Sequence, residues 1–245
     1  MHQSLKFLGA AALLAGLSAC GEKSGTNTNS TPNLANATAP STVAAIKDEV
    51  VRSALPKANK ATPSEEYIEL SSGNQVMFTY LALAAMPIDY KEIASSYSQD
   101  YARASDEFRK NDLLTALQPK IDAEVANAGK RRYVKITIDN PIAKYDFEKK
   151  GFPLDSSVWE PSSYRFFSDN GTYKVSFSNG SAFRYLTGVS EDSARTIEGL
   201  RSKYEPLHLV IYSYAQEADM SNKSIKSEIV KIALLDRKGN VLASQ

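Results

Sequence analysis

The hydrophobic pattern divides the chain into three regimes. Residues 7–17 form one unbroken apolar run, Phe7-Leu8-Gly9-Ala10-Ala11-Ala12-Leu13-Leu14-Ala15-Gly16-Leu17. Residues 22–40 are dominated by Ser, Thr, Asn, Gly and Ala, and Leu34 is their one strongly apolar member. From residue 41 apolar positions recur, first at helical spacing and then, from Tyr133, at strand spacing. Val43, Ile46, Val50 and Leu55 share one face of a short helix that Ser41 or Thr42 caps and Pro56 ends. Thr62 as N-cap, Pro63 at the first helical position and Glu65 at the third predict a second helix, stopped by Gly73. Residues 74–86 read as a buried helix closed by Pro87. Asp89 caps a helix to Ala104, with Tyr90, Ile93, Tyr97 and Tyr101 on one face. Ser105 or Asp106 opens the next, which carries Phe108, Leu113, Leu114, Leu117, Ile121 and Val125. Pro119 is expected to kink or split it, and Gly129 to end it.

The period then changes to two. Tyr133-Val134-Lys135-Ile136-Thr137-Ile138 alternates and is β-branched, and Asn140-Pro141 turns the chain. Residues 164–167 and 172–177 predict a hairpin around Ser168-Asp169-Asn170-Gly171. Asn179-Gly180 predicts a second turn into a strand over 182–186. A helix over 191–203 buries Ala194, Ile197 and Leu200. Strands follow over 207–215, 225–235 and 241–243, the last two joined by Arg237-Lys238-Gly239-Asn240. Helices first (41–129) and strands later (130–245) predict an α+β domain. N-terminal helices pack on a mainly antiparallel sheet that carries one inserted helix. No internal repeat is present.

The first regime is a targeting signal. Lys6, the apolar run, the small residues Ser18 and Ala19, and then Cys20 make a secretory leader, too short for a permanent span of ~20 apolar residues. Leu17-Ser18-Ala19-Cys20 resembles the lipobox of bacterial lipoproteins. That resemblance covers only these residues and implies cleavage after residue 19, lipidation of Cys20 and a membrane anchor. The alternatives are an ordinary signal peptide cut after Ala19, which leaves Cys20 a free thiol, and an uncleaved amphiphilic N-terminus. Gly21, rather than Asp, after the cysteine implies outer-membrane sorting and a domain facing the periplasm. Residues 20–40 then form the lipidated end and a tether that cannot bury enough surface to fold, reaching roughly 25 Å as a flexible coil. The mature domain (41–245) resembles only uncharacterised bacterial lipoproteins.

Composition narrows the chemistry. Of 29 basic residues the leader removes Lys6 and no acid, so 28 basic residues balance 28 acids. A neutral chain has no electrostatic footprint for nucleic acid or anionic lipid. Cys20 is the only cysteine, and His208 the only histidine outside the leader. No disulfide, cysteine-ligated metal or cofactor is expected.

His208 lies on a strand whose face also carries Val210, Tyr212 and Tyr214, and reads as structural. Ser168-Asp169-Asn170 matches one motif of the penicillin-recognising serine enzymes. Its companions Ser-x-x-Lys and Lys-Thr-Gly are absent, and it falls where the hairpin turns, so it reads as turn chemistry. Lys130-Arg131-Arg132 suits the negative end of a helix. Asp146 and Glu148 form a carboxylate pair with no evident shared pocket. The densest aromatic stretch runs from Tyr145 through Phe147, Phe152 and Trp159 to Phe167. Tyr145, Phe152 and Trp159 are its candidate anchors for a glycan or peptide, the alternative being that these rings pin a long connection onto the core. The expectation is a lipid-anchored, non-catalytic protein that binds a protein partner or assists envelope assembly. An inhibitor of an exported toxin or hydrolase, and a hydrolase using paired carboxylates, remain as alternatives.

Overall fold

The alternating segment from Tyr133 pairs with the two longest strands to form the centre of the fold. The computed structural model describes residues 50, 54–154, 159–160 and 163–245. The leader, the lipobox, the tether and most of the first expected helix lie outside these residues, and everything described belongs to the compact unit Asp48–Gln245. The strands are β1 (Ile68–Glu69), β2 (Tyr133–Asp139), β3 (Gly151–Pro153), β4 (Arg165–Phe166), β5 (Lys174–Phe177), β6 (Tyr185–Thr187), β7 (Leu207–Asp219), β8 (Ser224–Asp236) and β9 (Val241–Ser244). The helices are α1 (Gly73–Ala84), α2 (Tyr90–Tyr97), α3 (Gln99–Arg103), α4 (Glu107–Lys130) and α5 (Glu191–Ser202). This is the α+β class that the pattern predicts.

The large sheet runs β1-β2-β7-β8 and then divides. The free edge of β8 is shared: its first residues pair in parallel with β5, and its last residues pair antiparallel with β9. β4 lies antiparallel on β5, and β1 lies parallel on β2. The remaining pairings of this sheet are antiparallel, with shifts between Tyr212 and Ser213 and between Ala215 and Glu217 on β7. β3 and β6 form a separate two-stranded ribbon.

One face of the sheet is apolar because Leu207, Leu209 and Ile211 alternate on β7 opposite Ile232 and Leu234 on β8. α1 packs against the sheet and α4 packs against α1. A helix held between two layers must be apolar on more than one side, and Val76, Met77, Phe78 and Tyr80 of α1 are all buried. Ser72 starts α1 with a reciprocal box, accepting from Asn74 N–H while Gln75 Oε1 accepts from Ser72 N–H. Asp89 caps α2, and Asp106 caps α4. Ser98 both ends α2 and caps α3, so the run to Ala104 is two helices rather than one.

Four further expectations change. The Thr62–Glu65 box does not open a helix: the Thr62 hydroxyl donates to Asn59 O, and only a 3₁₀ turn, Ser64–Glu66, forms. The chain then extends, because Tyr67 packs edge-on against Tyr133 and Tyr212, and Leu70 N–H donates to Lys135 O. Gly73 starts α1 instead of stopping a helix. A Cβ there would meet Asn170 O at 2.2 Å, so no other residue fits without movement. Pro119 does not split α4, which continues as one helix. It sits on the exposed side, where the carbonyl left without a donor can face water. Phe108 points outward from α4, 84 % exposed. The segment after Asn179 forms a 3₁₀ turn, Gly180–Phe183, before the short β6. The Asn179 amide brackets Ile229 N–H and C=O and so satisfies the β8 edge past the end of β5 in place of further strand.

Candidate functional site

A cleft of about 810 Å³ opens between the loop 143–150 and helix α5. Its volume is in the range of ligand sites. The loop is built from residues upward. Asp146 and Gly151 exchange backbone hydrogen bonds, N–H to O, in both directions (2.8 and 3.2 Å). Asp146 Oδ1 also accepts from Glu148 N–H (2.9 Å) and Lys149 N–H (3.0 Å). Four hydrogen bonds therefore fix the turn. Lys150 closes it at φ 50°, in the left-handed region that glycine adopts at less cost. Gly151 is required for a different reason: a Cβ there would meet Leu186 O at 2.5 Å across the β3–β6 ribbon.

This turn holds Phe147 out in water, 84 % exposed. The ring is supported from behind. Phe147 meets Tyr145 edge-on (5.1 Å between centroids), and Tyr145 meets the fully buried Phe152 edge-on (5.0 Å). Aromatic contacts thus run without a gap from core to surface. The opposite wall is α5, which presents Glu191, Ala194, Arg195 and Glu198, with Val189 just before it. Ala194 and Ile197 anchor that helix in the core, and Ser190 caps it through Ser193 N–H. Glu198 Oε2 accepts from Tyr145 N–H (3.3 Å) and so joins the two walls.

Charges in the cleft are unevenly satisfied. Arg201 donates two hydrogen bonds to Glu198. The Arg201 guanidinium holds the Glu198 carboxyl below the usual carboxylate range, against the opposing effect of burial, with help from Tyr145 N–H. A general acid needs the reverse shift. Glu191 pairs with Arg195. No acid holds Lys150 among the described residues.

The candidate anchors divide. Tyr145 lines the cleft, half-buried. Phe152 and Trp159 are 0 % and 2 % exposed, and Trp159 stacks on Phe177, so both are core side chains with no surface toward the cleft. Phe147 completes the site. Its sequence signal is its place between Asp146 and Gly151, residues suited to closing a tight turn.

The other candidates lie elsewhere and have structural partners. His208 Nδ1 is 2.7 Å from Asp139 Oδ1, its register neighbour on β2, and among the described residues no hydroxyl bonds the ring. Asp169 accepts from the Ser72 hydroxyl (2.6 Å) and from the N–H groups of Gly73 (2.8 Å) and Asn74 (3.4 Å), clamping the start of α1. Asn170 Nδ2 donates to Asn74 Oδ1. The Ser168-Asp169-Asn170 tripeptide is therefore a helix clamp. Arg132 donates to Ala215 O and Gln216 O and lies over the Tyr214 ring. Asp146 is used by its own turn.

Among the described residues Tyr67 is the phenol pushed up to about 12, by burial and by the neighbouring Tyr133 and Tyr212, and it does not line the cleft. Among the described residues no three His, Cys, Asp or Glu side chains converge as metal ligands would, and no helix is long and apolar enough to cross a membrane. Comparison with known proteins finds no matching family model, no similar curated protein and no similar solved structure.

Proposed function

We propose that this chain is a lipid-anchored binding protein of the bacterial cell envelope, held by lipid on Cys20 and facing the periplasm from the outer membrane. Its folded domain captures a protein partner at the cleft between loop 143–150 and α5. The observation that carries this reading is Phe147: a large apolar ring held in water by a turn with four hydrogen bonds. Covering such a ring returns about 1.5–3 kcal/mol, and a pre-ordered turn spares the usual cost of ordering a loop. The same rigid tip suits an inhibitor that fills an enzyme's cleft, and recovery of a hydrolase or toxin as the partner would mark that case.

Two measurements test the proposal together. Mass spectrometry and membrane fractionation should find acyl chains on Cys20 and release of the protein in Cys20→Ala, because stable anchoring depends on several chains. Cross-linked envelopes should yield a defined partner with the native chain and lose it with Phe147→Ser. A soluble native protein refutes the anchor. Recovery of the same partner with Phe147→Ser refutes the cleft.

A further inference from the structure

We infer that the cleft recognises an extended protein segment in which an apolar side chain stands next to a carboxylate. This rests on the binding role proposed above and adds the chemistry of the partner. The apolar half of the recognition is the face made by Tyr145, Phe147, Val189 and Ala194. The anionic half follows from which charges are already spent. Glu198 is held by Arg201 and by Tyr145 N–H, and Glu191 is held by Arg195. Of the four charged residues lining the cleft, Lys150 alone has no partner among the described residues. Its backbone also adopts φ 50° at the end of the turn, a place where glycine would cost less, so the amine is present there at a conformational cost.

A satisfied acid neither attracts a cation strongly nor repels an anion strongly, whereas an unpaired ammonium beside an apolar wall favours a carboxylate. Phe147 and Lys150 are three residues apart on one turn. An aromatic or aliphatic side chain and an Asp or Glu within about two positions of it span that separation in an extended chain. Because the turn is fixed by hydrogen bonds, recognition needs no rearrangement of the loop.

The test is selection of a displayed random peptide library on the full chain in detergent, with the acidic winners re-measured as labelled synthetic peptides. The expected winners carry Phe, Leu or Trp within about two positions of Asp or Glu. Their affinity should fall about tenfold in Phe147→Ser, the loss of one buried aromatic anchor. Lys150→Glu should weaken them about fivefold, the effect of replacing an exposed attractive pair with a repulsive one, and should shift selection toward Lys or Arg in place of the acid. Phe108→Ser, which removes an equally exposed ring outside the cleft, should change nothing.

Winners without an acid, or acidic winners indifferent to Lys150→Glu, overturn the inference. If Phe147 still cross-links to a partner in cells, the binding role survives that result. Winners that bind Phe147→Ser as tightly as the native chain overturn both.

Discussion

Asp169→Ala should destabilise the domain although the side chain is exposed, and should do so only where the carboxylate is ionised. Asp169 receives the Ser72 hydroxyl and the N–H groups of Gly73 and Asn74, which have no intrahelical carbonyl partner at the start of α1; Asn74 N–H is shared with the Ser72 hydroxyl oxygen. Losing a capping acceptor costs about 1 kcal/mol, and losing an anion at a helix N-terminus a further ~0.3–1 kcal/mol. Solvent screening at this exposed position trims the second contribution, so the expected loss is about 1–2 kcal/mol. For a domain of this size that lowers the Tm by roughly 2–8 °C.

The pH dependence has a definite sign. Burial acts to raise the Asp169 pKa, but the donated hydrogen bonds from Ser72, Gly73 and Asn74 outweigh it and leave the carboxyl below its usual value. A depressed folded pKa contributes stability above the unfolded value, about 3.9 for Asp, and that contribution is lost as pH falls through the folded value. Urea unfolding can be followed by the single tryptophan, Trp159, which is buried against Phe177. The gap between native chain and variant should be constant from about pH 7 to pH 5 and should close below about pH 4. An equal gap at about pH 3, or no gap at neutral pH, would refute the clamp.

Other outcomes follow from the same packing. Gly73→Ala should cost about 1–3 kcal/mol in thermal melts, because the added Cβ would meet Asn170 O at 2.2 Å. Gly199→Ala, inside α5 with open space around it, should stabilise by up to ~1 kcal/mol. Phe152→Ala should cost about 3–5 kcal/mol as a core deletion. Phe147→Ser should leave stability within ~0.5 kcal/mol, since the ring it removes is 84 % exposed. A similar loss at both positions would contradict their assignment to core and surface.

The elements readable from sequence were those with an uninterrupted period. The strands β2, β7 and β8, the apolar helix α1 and the amphipathic helix α5 appear where their patterns place them. Two of the failures share one cause: a local signal is overruled by a distant partner. Thr62, Pro63 and Glu65 carry good helix-start chemistry, yet Tyr67 and Leu70 are needed against Tyr133, Tyr212 and Lys135. Gly73 reads as a helix stop, yet it opens α1, where Asn170 lies against it.

The cleft was half legible. The aromatic stretch was visible and Tyr145 belongs to the cleft, but a run of rings does not say which face water. Phe152 and Trp159 turned to the core, and Phe147, between Asp146 and Gly151, is the ring that the turn exposes. The opposite wall, Glu191 to Glu198, comes from a segment more than forty residues away and has no local signature.

The central claim is that the protein meets its partner at Phe147. A photo-cross-linking phenylalanine analogue can be placed in living cells at position 147 and, separately, at position 108. Both sites are 84 % exposed, so exposure alone predicts equal yields. The account predicts a discrete cross-linked product at 147 and none at 108, and loss of that product in Cys20→Ala cells, in which it expects the protein to leave the membrane. Equal cross-linking at both positions, or none at 147, would contradict it.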